Sequence, residues 1–408
     1  MEKKLFNVLK ERGYVKDLTH EKEIIDLLNG GPMTFYLGID PTADSLHIGH
    51  FFALTLFRWL QDFGHRGIIL VGGATALIGD PTGKSDMRKM LSKEEVRHNK
   101  EEVKELIKRF VRTDGDNPAI IVDNADWICG KTYVDFMRDI GVHFNVNTML
   151  NAECYKKRLE NGGLTFLEMG YMLMQAFDFV HLNKEFGCKL QIGGSDQWGN
   201  ILAGVNLSRK IGFSEGKKIE PLFGMVCPLL LKADGEKMGK TASGTLWVSR
   251  NKTTVFDFFQ EWINCFDEDV ERSLAFFTRM DMDEIKELCS KDIRHAKKVL
   301  AFEVTKLVHG KEEALKAIKT SEELFSGNGT SDSMTIKEIK ASDNISLIDL
   351  LVLSEITQSK SEARRLIMQN GISINGKKEN NIDKIIDVIC GQLIIQKGKK
   401  MFVKIKFI

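Results

Sequence analysis

The run Phe35-Tyr36-Leu37-Gly38-Ile39-Asp40-Pro41-Thr42-Ala43-Asp44-Ser45-Leu46-His47-Ile48-Gly49-His50, with apolar residues onward to Phe63 and then Gly64, decides the fold of the first half of this chain. Residues 33–37 have the apolar content of a short buried strand, and Gly38 punctuates its end. Asp40-Pro41 and Ala43-Asp44-Ser45 carry turn chemistry, with Ser45 or Asp44 placed to cap a following helix. From 48 to 63 apolar residues recur densely, and Gly64 stands where a left-handed C-cap belongs. The reading is strand, tight loop and buried helix, with His47 and His50 in the first helical turn. The free N–H groups and dipole of that turn favour an anion, and two imidazoles add donors for phosphate oxygens. A His-x-x-His pair by itself is more often packing or surface. Zinc would need a third Cys, His or acidic ligand at a familiar spacing, and none follows.

Strand-like runs at 67–71, 119–122 and 189–192 alternate with helical runs such as 93–111. That alternation predicts an α/β fold with a parallel, doubly wound sheet and ligands beyond the carboxyl ends of its strands. The stretch from Val71 to Ser85 nearly spells a P-loop, but only three residues separate Gly79 from Gly83-Lys84, where that motif needs four. The P-loop reading is rejected. Asp80 suits a ligand amine, while Lys84 and Arg88 suit phosphate. A helix over 164–182 puts Tyr171, Gln175 and Asp178 on one face amid Met and Phe side chains. Buried polar groups cost stability unless paired, so this face is either a core hydrogen-bond network or a pocket for a small polar molecule. From Leu190 to Asn200 a strand breaks into amide and acid side chains, Gln191, Asp196 and Gln197 among them, fit for a ribose or an amino-acid head group. Leu231-Lys232-Ala233-Asp234-Gly235-Glu236-Lys237-Met238-Gly239-Lys240-Thr241 is a turn followed by two lysines on a loop loosened by Gly239.

With 408 residues, 43% hydrophobic and 28% charged, the chain has the composition of a soluble protein of two or three domains. Its net charge of +1 hides an asymmetry: residues 345–408 hold 11 Lys+Arg against 6 Asp+Glu. A basic tail on a mildly acidic body suits a polyanion. Seven cysteines without a Cys-x-x-Cys pair argue for reduced thiols in the cytoplasm. No apolar stretch reaches membrane-spanning length, so no membrane partner is expected. Residues 253–325 read as helical and 326–344 as a Ser/Gly/Asn/Asp linker. In the tail, 346–353 reads as a short helix and Ser359-Lys360-Ser361-Glu362 as a capping box opening a second helix that exposes Lys360, Arg364 and Arg365. Asn375-Gly376 marks a hairpin.

The string from Asp40 to His50 resembles the His-Ile-Gly-His signature of class I aminoacyl-tRNA synthetases, and its Asp-Pro-Thr-Ala-Asp lead-in resembles the tyrosyl branch. Lys237-Met238-Gly239-Lys240-Thr241 resembles the Lys-Met-Ser-Lys-Ser signature of the same class. The tail resembles the S4 RNA-binding domain. The resemblance to bacterial-type tyrosyl-tRNA synthetases covers about 30–408. It implies a Rossmann-like catalytic domain with a connective insertion (1–225), a lysine loop with an α-helical anticodon-side domain (226–325), a linker (326–344) and an S4-like domain (345–408). It implies tyrosine activation with ATP, then transfer to tRNA(Tyr). Thr42 and His47 would meet the γ-phosphate and His50 the ribose side of ATP, with Gly38, Asp40 and Gly49 around the nucleotide. Lys84, Arg88, Lys237, Lys240 and Thr241 would grip pyrophosphate. Tyr36 and Asp178 would bond the phenolic hydroxyl with Asn124 nearby, and Asp80, Tyr171 and Gln175 the α-amine. Gln191, Asp196 and Gln197 would bind the carboxylate and ribose region. Mg2+ would travel with ATP, with no structural metal held by the protein, and a homodimer is implied. Leu37 and Ala53 lack the side chains that bond ribose in some relatives. Two other readings stand: a tryptophanyl enzyme of the class, and a non-catalytic RNA-binding paralogue.

Overall fold

The structure, a computed structural model, describes residues 4–82, 90–160, 163–214, 220–241, 244–325, 335–340, 344–388, 391–398 and 401–408. The chain divides into two compact units, Met1–Thr245 with Ala275–Phe277, and Leu246–Leu274 with Thr278–Ile408. Among the described residues no helix is long and apolar enough to cross a membrane.

The first unit is built on six strands: β1 (Asp17–Leu18), β2 (Thr34–Ile39), β3 (Arg66–Val71), β4 (Ile120–Asp123), β5 (Cys188–Gly194) and β6 (Phe223–Cys227). They run in the order β1-β6-β5-β2-β3-β4, parallel except for β1, which pairs antiparallel with β6. The doubly wound sheet expected from the alternation is present; β1, two residues long, left no pattern to read. Strand order reverses between β2 and β5, and that is where an open α/β sheet parts at its carboxyl edge to admit a ligand. Period-two alternation puts Tyr36 and Gly38 on one face of β2 and Phe35, Leu37 and Ile39 on the other. On the second face Phe35 packs on Phe57 of the Ile48–Asp62 helix, ring centroids 4.8 Å apart. Nearer the start of that helix, Phe52 stacks on Tyr14 at 5.2 Å and Phe51 on Phe277 at 5.6 Å. This apolar body anchors the helix, so its first turn is held fixed at the mouth of the crevice.

His65, just past that helix, is buried with both ring nitrogens engaged: Nδ1 accepts the Met33 N–H (3.3 Å) and Nε2 meets the Leu28 carbonyl (3.2 Å). Burial holds its pKa below the usual histidine range, against the smaller opposing pull of the Leu28 carbonyl. The folded ring is therefore neutral, and its stabilisation is present above the unfolded value of about 6.5. As pH falls below that, the unfolded chain takes up a proton that the folded ring resists, and stability declines. His65→Leu should cost about 1–3 kcal/mol at neutral pH by stranding two buried backbone groups. It should also flatten the fall of Tm on acidification. Equal Tm–pH slopes in the two proteins would remove His65 from the acid response.

In the second unit, five helices cover the span read as helical: Val255–Ile263, Asp267–Phe277 (whose last three residues belong to the first unit), Met282–Lys291, Ile293–His309 and Lys311–Phe325. The tail helices are Leu347–Leu353, capped by Ser346, and Lys360–Met368, capped by Ser359. They share one apolar core, including Leu350, Ile367 and Ile395, with a five-stranded sheet. That sheet runs Lys377–Glu379, Ile372–Ile374, Gln392–Lys397, Met401–Phe407, Thr335–Ile339. Asn375 (φ 49°) and Gly376 (φ 78°) make the expected hairpin turn, since both central residues of this turn type need positive φ.

Two local expectations change here. Thr335–Ile339, inside the stretch read as linker, is a strand paired parallel with Met401–Phe407. The capping box at Ser359 is half made: Ser359 Oγ accepts the Glu362 N–H (3.2 Å), but Glu362 gives its oxygens to the Gln358 N–H (2.8 Å) and Lys397 (2.8 Å). The tail also packs on the helices that precede it. Phe402 packs edge-on against the buried Phe256 of the Val255–Ile263 helix, centroids 6.1 Å apart, with Ile394 beside them.

Candidate active site

The first turn of the Ile48–Asp62 helix is capped by His47, not by Ser45 or Asp44. Its ring folds back so that Nδ1 accepts the N–H groups of Gly49 (3.1 Å) and His50 (3.3 Å). Gly49 permits this: a Cβ there would stand 3.0 Å from His47 Cε1. The expectation of free first-turn N–H groups for an anion is thereby corrected, because the imidazole takes two of them. With Nδ1 accepting, a neutral His47 carries its proton on Nε2. His50 stacks on the same ring, centroids 3.7 Å apart. The turn thus presents imidazole edges in place of amides. Thr42 is placed by its own N–H bonding to the Asp40 carbonyl (2.8 Å).

Behind that mouth, Gly38 is exposed in mid-strand, and a Cβ added to it would meet nothing within 4 Å. Room is therefore left at the strand reversal. One face of the Phe166–Phe186 helix lines this space with Tyr171, Gln175 and Asp178, as the spacing predicted. Tyr36 on β2 and Gln191 on β5 are paired in register and point to the same side of the sheet. Leu37 is buried on the opposite side.

A continuous hydrogen-bond chain crosses the pocket wall. Tyr171 O–H donates to Asp40 Oδ2 (2.8 Å) and Thr75 O–H to Asp40 Oδ1 (2.7 Å). Asn124 Nδ2 donates to Thr75 Oγ1 (3.0 Å) and to Asp178 Oδ2 (3.0 Å), while Trp127 Nε1–H donates to Asp178 Oδ1 (2.8 Å). Asp40, expected beside the nucleotide, spends both carboxylate oxygens on this chain. Burial pushes the Asp178 carboxyl up to about 8, despite the two donors from Asn124 and Trp127 that pull it down. Burial, with the Asp178 charge, also holds the Tyr36 phenol well above its ordinary value. Tyr36 Oη, Gln175 Oε1 and Gln191 Oε1 are buried and find no hydrogen-bond partner among the described residues. Buried polar atoms in native folds are nearly always satisfied. Three such atoms around one space mark it as a place for a polar guest.

At the other end, Asp80 is buried, with Oδ1 accepting the Thr82 N–H (2.9 Å) and Oδ2 the Gln197 Nε2 (2.7 Å). Gln197 Oε1 in turn accepts from Asn200 (3.2 Å). Asp196 has its pKa raised by burial and by the Asp80 charge, with the ammonium of Lys237 pulling it back. The exposed Lys237 therefore lies within electrostatic reach of this rim. Lys240–Thr241 forms a short strand paired with Gly244–Thr245. The side chains of Lys240 and Thr241, like Lys84 and Arg88 altogether, lie outside the described residues. Thr75 and Trp127 were not singled out from sequence; Trp127 lies in the short Ala125–Ile128 helix that Asn124 precedes and carries no motif of its own. No group of three or more His, Cys, Asp or Glu able to hold a metal ion occurs among the described residues.

Residues 28–326 match the family tRNA synthetases class I (W and Y). The chain belongs to that family. Residues 328–405 match the tyrosine–tRNA ligase SYY-like C-terminal domain. This class I synthetase is 49% identical to the tyrosine–tRNA ligase of Acetivibrio thermocellus over 99% of both chains. It is 50% identical to that of Clostridium kluyveri over 98% of both. Among solved structures, the C-terminally truncated mitochondrial tyrosyl-tRNA synthetase of Aspergillus nidulans matches with a TM-score of 0.71 at 29% identity, over 79% of this chain and 95% of that one. A tryptophanyl-tRNA synthetase from Encephalitozoon cuniculi matches at 0.54 and 15% identity, over 79% of this chain and 91% of that one, a likeness of fold alone.

Proposed function

We propose that this synthetase is a cytoplasmic tyrosine–tRNA ligase, which condenses L-tyrosine with ATP to tyrosyl-adenylate and passes the tyrosyl group to tRNA(Tyr). The observation that carries the tyrosine reading is a buried Tyr36 hydroxyl, without a hydrogen-bond partner among the described residues, close enough to the Asp178 carboxyl to feel its charge. A phenolic O–H can donate to Asp178 while its oxygen accepts from Tyr36. An indole would leave both without matching geometry, which disfavours the tryptophanyl reading, as does the match of the tail to a tyrosine–tRNA ligase domain. Asp80, Tyr171 and Gln175 then take the ammonium group, and Gln191, Asp196 and Gln197 the carboxylate and ribose.

In the first step a tyrosine carboxylate oxygen attacks the α-phosphorus of ATP, and the bond to the pyrophosphate oxygen breaks. No proton need move, so positioning and charge neutralisation do the work. The His47 Nε2–H and the Thr42 hydroxyl bind the γ-phosphate, and His50 the ribose side. Gly38 and Gly49 leave the nucleotide room. Lys84, Arg88, Lys237, Lys240 and Thr241 neutralise the departing pyrophosphate, and Mg2+ arrives with ATP as part of the substrate. In the second step a terminal ribose hydroxyl of the tRNA attacks the acyl carbonyl, the acyl C–O bond to the phosphate breaks, and AMP leaves, its phosphate able to take the hydroxyl proton. A retained set of His47, His50, Lys237 and Lys240 is what a non-catalytic paralogue would not need.

Lys237→Ala should slow adenylate formation by about 10²-fold while barely changing tyrosine binding, because a loop lysine that acts on the leaving group acts mainly in the transition state. Pre-steady-state adenylate formation at the wild-type rate would remove Lys237 from the chemistry. In the tail, Arg364 and Arg365 are exposed, and Lys360, itself largely exposed, pairs with Asp349 at 2.7 Å. These three supply phosphate contacts to tRNA from the S4-like domain, 345–408. A second copy of the chain covers the exposed apolar side chains Tyr133, Val134 and Val142, which line one cleft, giving a homodimer. Charging of unfractionated tRNA with labelled tyrosine, but not with tryptophan, tests the reading. Charging with tryptophan, or none at all, would overturn it.

A further inference from the structure

Asp123 ends β4 outside the pocket, one residue before Asn124. Its nearly buried carboxylate makes three contacts: Oδ1 accepts the N–H groups of Gly73 (3.1 Å) and Ala125 (2.9 Å), and Oδ2 meets Lys100 Nζ at 2.7 Å. The approach to Gly73 is so close that a Cβ there would lie 2.3 Å from Asp123 Oδ1. The next residue, Ala74, gives its N–H to Asn124 Oδ1 (2.8 Å). One carboxylate thus fixes the turn at 73–74 and the start of the Ala125–Ile128 helix together, and Asn124 is clamped between them. Asn124 Nδ2 then reaches Asp178. Lys100 comes from the Lys93–Phe110 helix, whose Asn99 also bonds the Pro41 carbonyl (3.2 Å), so this helix braces the loops that follow β2 and β4.

We propose that Lys100 is a positioning residue for the amino-acid pocket: by neutralising Asp123 it fixes Asn124, and through Asn124 it fixes the carboxylate of Asp178. The proposal rests on the tyrosine reading of that pocket. A carboxylate this enclosed is costly without its cation, and an enclosed charge that loses its partner recovers water by moving. Movement of Asp123 would release the Gly73 and Ala125 N–H groups and with them the frame that orients Asn124. The Asp123 charge also acts on Asp178 directly, favouring its neutral form. Lys100 offsets that charge. None of these contacts involves a residue assigned above to ATP, so the effect falls on one substrate.

Lys100→Met keeps the stem and the helix propensity while removing the charge. In tyrosine-dependent ATP–pyrophosphate exchange it should raise KM for tyrosine about 3- to 10-fold, with KM for ATP and kcat within about twofold of wild type. Lys100→Arg should restore the tyrosine KM. The double variant Lys100→Met with Asp123→Asn removes the stranded charge while leaving an oxygen for Gly73 and Ala125, so its KM should fall below that of Lys100→Met alone. This variant also decides the matter if Lys100→Met fails to fold. A folded Lys100→Met with wild-type tyrosine KM, an equal rise in both KM values, or a double variant worse than the single one would overturn the proposal. A wild-type protein without tyrosine-dependent exchange would instead defeat the underlying functional reading.

Discussion

Asp178→Asn should lower kcat/KM for tyrosine by about 10²-fold or more, and it should lower it far less for phenylalanine. The side chain keeps its volume, but the carboxylate that accepts from Asn124 and Trp127 becomes an amide with one acceptor oxygen. A donor is stranded, and one acceptor oxygen for the substrate hydroxyl is gone. Because phenylalanine never used that acceptor, the ratio of the two kcat/KM values should contract. Tyr36→Phe should move the ratio in the same direction by less, since it removes a hydroxyl that has no partner among the described residues. A pocket built to bond a hydroxyl holds unpaired polar groups whenever the hydroxyl is missing, and that penalty is what sets the discrimination. Equal losses for both amino acids would mean that Asp178 supports the fold and does not read the substrate. Steady-state exchange kinetics with each amino acid decide between the two.

A chain ended at Ser326 should keep tyrosine-dependent exchange near the full-length value and lose nearly all charging of tRNA. The side chains proposed for the chemistry lie before that point, and the basic surface that would neutralise tRNA phosphates lies after it. Counterion release makes such contacts a large share of nucleic-acid affinity, so the truncated chain should also show a shallower salt dependence of tRNA binding. Ending at Asn344 would be a poorer cut, because it would leave the Thr335–Ile339 strand without its partner Met401–Phe407. Either cut uncovers Phe256, which is 1% exposed in the full chain. Loss of the Phe402 contact should therefore cost about 1–3 kcal/mol in the stability of the helices it leaves behind. Charging by the truncated chain at the full-length rate would show that the tail is not the tRNA-binding module.

The central strands were legible because β2 and β3 are largely buried and read as short apolar runs between turn residues, and β5 keeps Leu190 and Ile192 in its buried core. The same pattern fails at β1, where two residues join an edge, and at Thr335–Ile339, whose pairing is with a strand more than sixty positions later. No local window carries that partner. In the site, Tyr171, Gln175 and Asp178 were legible as a set because helical spacing alone puts them on one face. Thr75, Trp127 and Lys100 were not. Each acts by touching a residue from another element, and nothing in its own neighbourhood distinguishes it from an ordinary surface or core side chain. His47 shows a third case. Its place before the helix was readable, but that its ring would cap the turn depends on χ angles and on the missing Cβ of Gly49.

ATP–pyrophosphate exchange by the full chain, run separately with tyrosine, phenylalanine and tryptophan, bears most directly on the pocket formed by Tyr36, Asp178 and Asp80. Exchange should be supported strongly by tyrosine, weakly by phenylalanine and not at all by tryptophan. Exchange driven by tryptophan, or equally by tyrosine and phenylalanine, would contradict the assignment of Tyr36 and Asp178 to the substrate hydroxyl.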